Sequence, residues 1–369
     1  MITTCMGCGA PLQTVDPALP GYIPQSTKER EQILCRRCFR IRHYNEVSPV
    51  SIQKEEFERI LKELGGKRAL ILNVVDLFDF EGSWIQGLER FVGENPLVLV
   101  ANKIDLLPRQ TNLAKVETWL MDEVKKKRLE THKVILVSAR RGIGVEQVKT
   151  LIESYANERD IYVVGTANVG KSTLVNKLLH LFGESQDVGL TTSRYPGTTL
   201  STVKMKIPQF HHVIVDTPGV LTTSRLTDLV SPESLKLITP EKVINPKIYQ
   251  LNSGQTLFVG GLVRFDFVAG GSQSFVGYFA NQLSMHRTKL ENADALYEKH
   301  LGELLKPPGP DDPATLRDLV THKFKIRKGP AVDIVIAGLG WISVRGKEEA
   351  DLRVHVPRGI HVSVRKAII

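Results

Sequence analysis

Between residues 68 and 220 the chain alternates dense apolar runs with amphipathic stretches. RALILNVVDLF, NPLVLVANKIDLL, HKVILVSARRGIG, DIYVVGTANVGKS, TVKMKI and HHVIVDTPGV read as strands, and the segments between them as helices. Strands that are apolar throughout are covered on both faces, as in a mainly parallel sheet flanked by helices. The pattern predicts an α/β fold whose ligands bind at the carboxyl ends of the strands.

Beyond about residue 221 the pattern changes. Short runs such as QTLFVGGLVRFDFVAGG and FVGYFAN precede a helical ENADALYEKHLGELL, the breaker KPPGPDDP and further strands. A separate strand-rich α+β domain is expected there. GLGWISVRG lacks the third glycine and the following helix of a nucleotide motif, so it reads as strand and turn. The expected division is 1–50, 51–222 and 223–369, and 369 residues are ample for more than one core.

Two of the strands end in chemistry. GTANVGKS fits GxxxxGK[ST], follows IYVV and opens an amphipathic run, as a phosphate-binding loop requires. Backbone N–H groups of Asn168, Val169, Gly170, Lys171, Ser172 and Thr173 would cradle phosphates at a helix N-terminus. The Lys171 ammonium would reach the β- and γ-phosphates, and Ser172 would ligate Mg²⁺. In DTPG, Asp216 would hold the Mg²⁺ through water and the Gly219 N–H would sense the γ-phosphate. TTSRYPGTTL, between these motifs, suits a switch in which Thr199, or its neighbour Thr198, closes on Mg²⁺.

NKID selects the base. Asp105 can accept both N1–H and N2–H of guanine, which adenine does not offer; Asn102 would support the N7 edge and Lys103 would lay its alkyl stem along the ring. In VSARRGIG, Ser138 and Ala139 follow another strand, and the Ala139 N–H would bind guanine O6. Together these select GTP over ATP, disfavouring a P-loop kinase or ATPase.

The N-terminus carries four cysteines as two CxxC pairs, Cys5/Cys8 and Cys35/Cys38. Two such knuckles supply four thiolates for a tetrahedral structural Zn²⁺, and neither pair follows a strand and opens a helix as a redox site would. CRRCFRIRHY interleaves Arg36, Arg37, Arg40 and Arg42 with Phe39 and Tyr44, which suits phosphates and unstacked bases or forms a solvated basic rim.

Net charge is +9 and the pI about 9.3, consistent with a polyanionic partner, nucleic acid before membrane, or with an enzyme that happens to be basic. Residues 321–369 concentrate the excess, ten Lys and Arg against four Asp and Glu. With Phe324 and Trp341 near Lys323, Lys325, Arg327 and Lys328, this stretch suits single-stranded RNA or remains a solvated face. The N-terminus shows no leader pattern and no long apolar span, so a cytoplasmic protein is expected.

The order NKID, SAR, GTANVGKS, PGTT, DTPG resembles a circularly permuted GTPase, and with the leading CxxC pairs it is most similar to the bacterial YqeH proteins. The resemblance implies a zinc module, a permuted GTPase domain and a C-terminal domain that helps bind RNA or protein. It also implies a role in assembly of the small ribosomal subunit, with ribosomal RNA as partner. In this chain the DTPG region runs directly into the C-terminal domain, so nucleotide state is expected to control RNA or ribosome binding; a monomer is favoured.

Catalysis is less plainly written. Val220 stands where many GTPases place the glutamine that orients water, so slow intrinsic GTP hydrolysis, stimulated by K⁺ or a partner, is expected. Asn168 resembles the asparagine that in related GTPases helps hold a K⁺ near the phosphates, where the ion acts as a fixed cationic finger, or it only shapes the loop. Lys171, Thr199, Asn168 and Gly219 are the expected catalytic set. The competing reading is a non-catalytic RNA-binding scaffold that senses GTP or GDP.

Overall fold

The computed structural model describes residues 4–6, 10–17, 19–25, 34–36, 38–40, 51–52, 54–155, 158–183, 191–192, 202–206 and 211–369. The chain forms two compact units, Met1–Ile104 with Glu117–Thr222, and Asp105–Val116 with Thr223–Ile369.

The first unit is built on strands β1 (Ser51–Ile52), β2 (Ala69–Asp76), β3 (Leu97–Asn102), β4 (Lys133–Leu136), β5 (Asp160–Val164), β6 (Thr191–Thr192), β7 (Val203–Lys206), β8 (Val213–Asp216) and β9 (Gly219–Val220). Seven of them form a sheet in the order β4-β3-β2-β5-β8-β7-β6. Pairings among β4, β3, β2, β5 and β8 are parallel, and β7 and β6 add an antiparallel edge. Every residue of β2 and β3 is buried, the mark of a sheet covered on both faces.

The permutation is visible in this order. β2, which precedes the phosphate loop in sequence, lies beside β5, which leads into it, with Ala69 paired to Asp160, and β3 lies on the far side of β2. A parallel sheet needs its neighbours and right-handed crossovers, and any chain break that preserves them is acceptable. β1 and β9, the first and last strands of the unit, pair in parallel, Ser51 with Gly219 and Ile52 with Val220.

Helices α1 (Lys54–Gly65), α2 (Phe80–Ser83), α3 (Glu89–Val92), α4 (Leu113–Lys126), α5 (Val145–Tyr155) and α6 (Lys171–Gly183) join the strands. In α1 the buried residues Phe57, Ile60, Leu61 and Leu64 recur at helical spacing, while Glu55 and Glu56 near its start and Lys62 near its end complement the helix dipole. One sheet face, with Leu70, Leu72 and Val74, packs against Val145, Val148 and Ile152 of α5 and Leu174, Val175 and Leu178 of α6. That packing fixes the start of α6, where the phosphate loop ends.

The second unit is a pair of antiparallel sheets with little helix. β10 (Lys247–Leu251), β13 (Gln273–Phe279), β17 (Gly340–Val344), β16 (Val332–Ile336) and β19 (Val362–Lys366) form one sheet in that order. β14 (Met285–Lys289), β11 (Gln255–Val259), β12 (Val263–Gly270), β18 (Ala350–Pro357) and β15 (Leu319–Ile326) form the other. Phe265 and Phe267 of β12 meet Phe275 of β13 with ring centroids 5.4 and 5.1 Å apart, so the two sheets share one core. Helices α7 (Pro232–Ile238) and α8 (Ala293–His300) are short. The long helix expected in ENADALYEKHLGELL stops at His300, because Gly302 takes a left-handed φ of 85° and turns the chain.

Candidate functional site

The phosphate loop closes on itself. The Lys171 ammonium donates to the carbonyls of Gly165 at 2.9 Å and Thr166 at 2.8 Å, and the side chain is buried. Asn168 is exposed at the loop tip with a left-handed φ of 62°. Gly170 has a φ of 92°, and a Cβ there would lie 2.3 Å from Asn102 Nδ2, so only glycine fits. The Gly170 carbonyl accepts the Leu174 N–H at 3.0 Å, starting α6 and leaving the preceding N–H groups aimed beyond the helix.

DTPG is built against this loop. Asp216 ends β8 opposite Val163 of β5 and is 1% exposed. The Thr217 hydroxyl donates to the Val163 carbonyl at 2.8 Å. A Cβ on Gly219 would lie 2.7 Å from Ala167 Cα and 3.0 Å from Lys171 Nζ, so its backbone touches the loop where a γ-phosphate sensor is expected. Val220 is 4% exposed, and its carbonyl accepts the Ala167 N–H at 2.9 Å. Its side chain belongs to the packing and contributes nothing to positioning water.

On the base side Asn102 links two loops through its side-chain amide. Asn102 Nδ2 donates to the Val169 carbonyl at 2.8 Å, and its Oδ1 accepts the Ala139 N–H at 2.9 Å. The amide expected at guanine N7 and the N–H expected at O6 are therefore bonded to each other. Both are buried, and a buried donor or acceptor left alone is costly, so the protein satisfies them internally. The Ser138 N–H donates to the Ile143 carbonyl at 2.9 Å, and Ser138 Oγ accepts the Arg141 N–H at 3.2 Å, closing the SARRG turn.

Lys103 has a φ of 72° and places its ammonium 2.6 Å from Asp76 Oδ2. Asp76 was not among the residues singled out by sequence; its one signal was a carboxylate closing the apolar run ALILNVVD. Asp105 lies in a 3-10 turn, Ile104–Leu106, whose Leu106 carbonyl accepts the Ile244 N–H at 2.8 Å. Ser172 and Thr173 occupy the first turn of α6, with Thr173 exposed. Thr199 and its neighbour Thr198 lie outside the described residues, as do Cys8, Arg37, Arg42 and Tyr44.

At the N-terminus the sulfurs of Cys5, Cys35 and Cys38 all lie within 4.8 Å of one another. Cys5 and Cys35 are buried, and the Cys35 N–H donates to Cys5 Sγ at 3.1 Å. Thiolates around a tetrahedral Zn²⁺ with bonds of about 2.3 Å sit just under 4 Å apart, so the cluster has metal-site dimensions. The N–H bond to sulfur is the outer support such ligands use.

Two family models match the chain: "YqeH-like, C-terminal" over residues 272–368 and "50S ribosome-binding GTPase" over residues 160–244. The Bacillus subtilis (strain 168) protein YqeH is 44% identical over 367 residues, 99% of both chains. The Arabidopsis thaliana protein named NO-associated protein 1, chloroplastic/mitochondrial, is 32% identical over 430 residues, covering all of this chain and 76% of its own length. The mouse Nitric oxide-associated protein 1 is 25% identical over 520 residues, 99% of this chain and 75% of its own. The chain belongs to the YqeH family of GTPases. A GTPase domain of this kind takes GTP or GDP with Mg²⁺.

The second unit of this YqeH-family chain carries the basic strand β15. Thr321, Lys323 and Lys325 are exposed, with Lys323 opposite Arg353 of β18. The aromatics expected beside them are elsewhere. Phe324 alternates to the other face of β15 and packs against the core, and Trp341 is 1% exposed, stacked on Tyr278 at 5.0 Å. Strand alternation accounts for this, since neighbours of exposed lysines point inward. Among the described residues no helix is long and apolar enough to cross a membrane.

Proposed function

We propose that this YqeH-family GTPase hydrolyses GTP in assembly of the small ribosomal subunit, with nucleotide state governing its binding to ribosomal RNA. The observation that carries the nucleotide reading is the Asn102 amide, which joins the phosphate loop at Val169 to the SAR loop at Ala139. It ties base-reading and phosphate-binding segments into one site despite their reversed order.

RNA is the partner whose chemistry suits the Lys323, Lys325 and Arg353 face. With no aromatic shelf among them, contact would go to phosphates and weaken steeply with salt. Zn²⁺ at Cys5, Cys8, Cys35 and Cys38 would hold the N-terminal module, and the proposed compartment is the cytoplasm. Hydrolysis would be slow alone. If Asn168 holds K⁺ as a cationic finger, rates in KCl exceed those in NaCl, and equal rates remove the potassium role.

The buried Val220 favours a second reading, a scaffold that senses GTP or GDP without turning over. Sedimentation of cell extract on sucrose gradients with GDP or a non-hydrolysable GTP analogue tests the partner, and multiple-turnover hydrolysis with and without small subunits separates the two readings. Nucleotide-dependent migration with the small subunit is expected. Absence from those fractions with either nucleotide overturns the ribosomal reading, and migration with the large subunit favours the activity named in the matched 50S-binding family.

A further inference from the structure

Lys103 is clamped at both ends. Its backbone lies in the left-handed region, at a φ of 72°, which a residue with a Cβ seldom adopts without support. Its ammonium lies 2.6 Å from Asp76 Oδ2, and the side chain is 24% exposed against 8% for Asp76. The carboxylate comes from β2, the strand beside the one that ends in NKID.

Asp76 is held firmly. Its Oδ1 accepts the Phe78 N–H at 3.0 Å, its N–H donates to Ser83 Oγ at 3.0 Å, and its carbonyl accepts the Asp79 N–H at 3.1 Å. It stands opposite Asn102 in the strand register, and the Leu77 N–H donates to the Asn102 carbonyl at 2.9 Å. A nearly buried carboxylate with these bonds is a fixed post one strand away from the base-reading loop.

We propose that Asp76 is a positioning residue for the nucleotide base, pinning the Lys103 ammonium so that the lysine stem forms a preset apolar shelf for the purine ring. The proposal rests on the guanine-nucleotide reading above. A free lysine stem samples many rotamers, and a ligand that needs one of them bears that ordering cost; the ion pair removes it before the ligand arrives. The shelf touches the base, which does not change between GTP, GDP and the transition state. Its loss therefore weakens binding of both nucleotides and leaves the chemical step alone.

The test measures affinity for a ribose-labelled fluorescent GDP, with kcat and KM for GTP, in full-length wild type, Asp76→Asn, Lys103→Met and the double variant. Thermal midpoints are recorded beside them. Asp76→Asn is expected to raise Kd and KM about tenfold with kcat unchanged, and the double variant to bind no worse than the weaker single variant, because both changes break one device. If Asp76→Asn does not fold, Asp76→Glu is read in its place, with an intermediate Kd expected from a displaced carboxylate.

Wild-type affinity in the folded Asp76 variant, a fall in kcat at unchanged KM, or fully additive losses each overturn the proposal while the guanine-nucleotide reading stands. Wild-type protein that binds no guanine nucleotide overturns both.

Discussion

The Val220 carbonyl accepts the Ala167 N–H at 2.9 Å, which makes the residue after DTPG a structural part of the phosphate loop. Val220→Gln therefore does not create a water-orienting glutamine. It places an amide where a side chain is 4% exposed, at a cost of about 1–3 kcal/mol for an unsatisfied polar group. The expected outcome is a lower thermal midpoint and a hydrolysis rate no higher than wild type; a rate rise of tenfold would show that the side chain reaches the site.

Asp105 is the residue expected to discriminate guanine. Asp105→Asn replaces an acceptor with a group that is part donor, so affinity for GTP over ATP is expected to fall by at least tenfold while circular dichroism stays the same. The gain to look for is binding of a xanthine nucleotide, whose base offers an acceptor in place of the exocyclic amine. Unchanged guanine selectivity would count against the assignment.

How far this site could be read from sequence depends on which contacts are local. GTANVGKS and NKID are contiguous, and phosphate or guanine chemistry fixes their residue types and spacing, so both were legible. The Asn102 bridge from Val169 to Ala139 was not, because the direction of a side-chain amide is set by what surrounds it in space. The same holds for Asp76, whose partner Lys103 lies just past the end of the neighbouring strand β3. Two-residue strands such as β1 and β9 carry no period to detect. Phe324 is the opposite case: its burial follows from alternation with Lys323 and Lys325 and was there to be read.

The cysteine cluster makes a direct prediction. Protein purified without chelators is expected to carry zinc, and Cys35→Ser, which removes a buried sulfur, should lose it and expose the N-terminal segment to proteolysis. Elemental analysis together with limited digestion checks both. Metal-free wild-type protein with an unchanged digestion pattern would exclude a structural zinc.

Acid stability should depend on Asp266. It is 1% exposed and accepts from Thr256 Oγ1 at 2.6 Å and Arg264 Nε at 2.8 Å, with His355 Nε2 at 2.9 Å. Burial pushes its carboxyl up, but the bonds from His355, Arg264 and Thr256 outweigh burial and hold it below the usual range. A carboxyl lowered by folding adds stability that is complete above its unfolded pKa of about 3.9 and is lost as pH falls through the folded value. Asp266→Asn is expected to lower stability at neutral pH by on the order of 1–3 kcal/mol and to flatten the loss below pH 4, as read by urea unfolding at several pH values.

The pairing of Ser51–Ile52 with Gly219–Val220 brings the ends of the rearranged domain side by side, with the Leu221 N–H bonded to the Ile52 carbonyl at 3.0 Å. Because the two strands run the same way and are only two residues long, a linker that retraces roughly 7 Å would join the end of one to the start of the other. Opening the chain between Tyr155 and Asp160 would then return the motifs to phosphate-first order around an unaltered sheet. The rearrangement is a change of where the thread is cut, and a protein engineer can move the cut back.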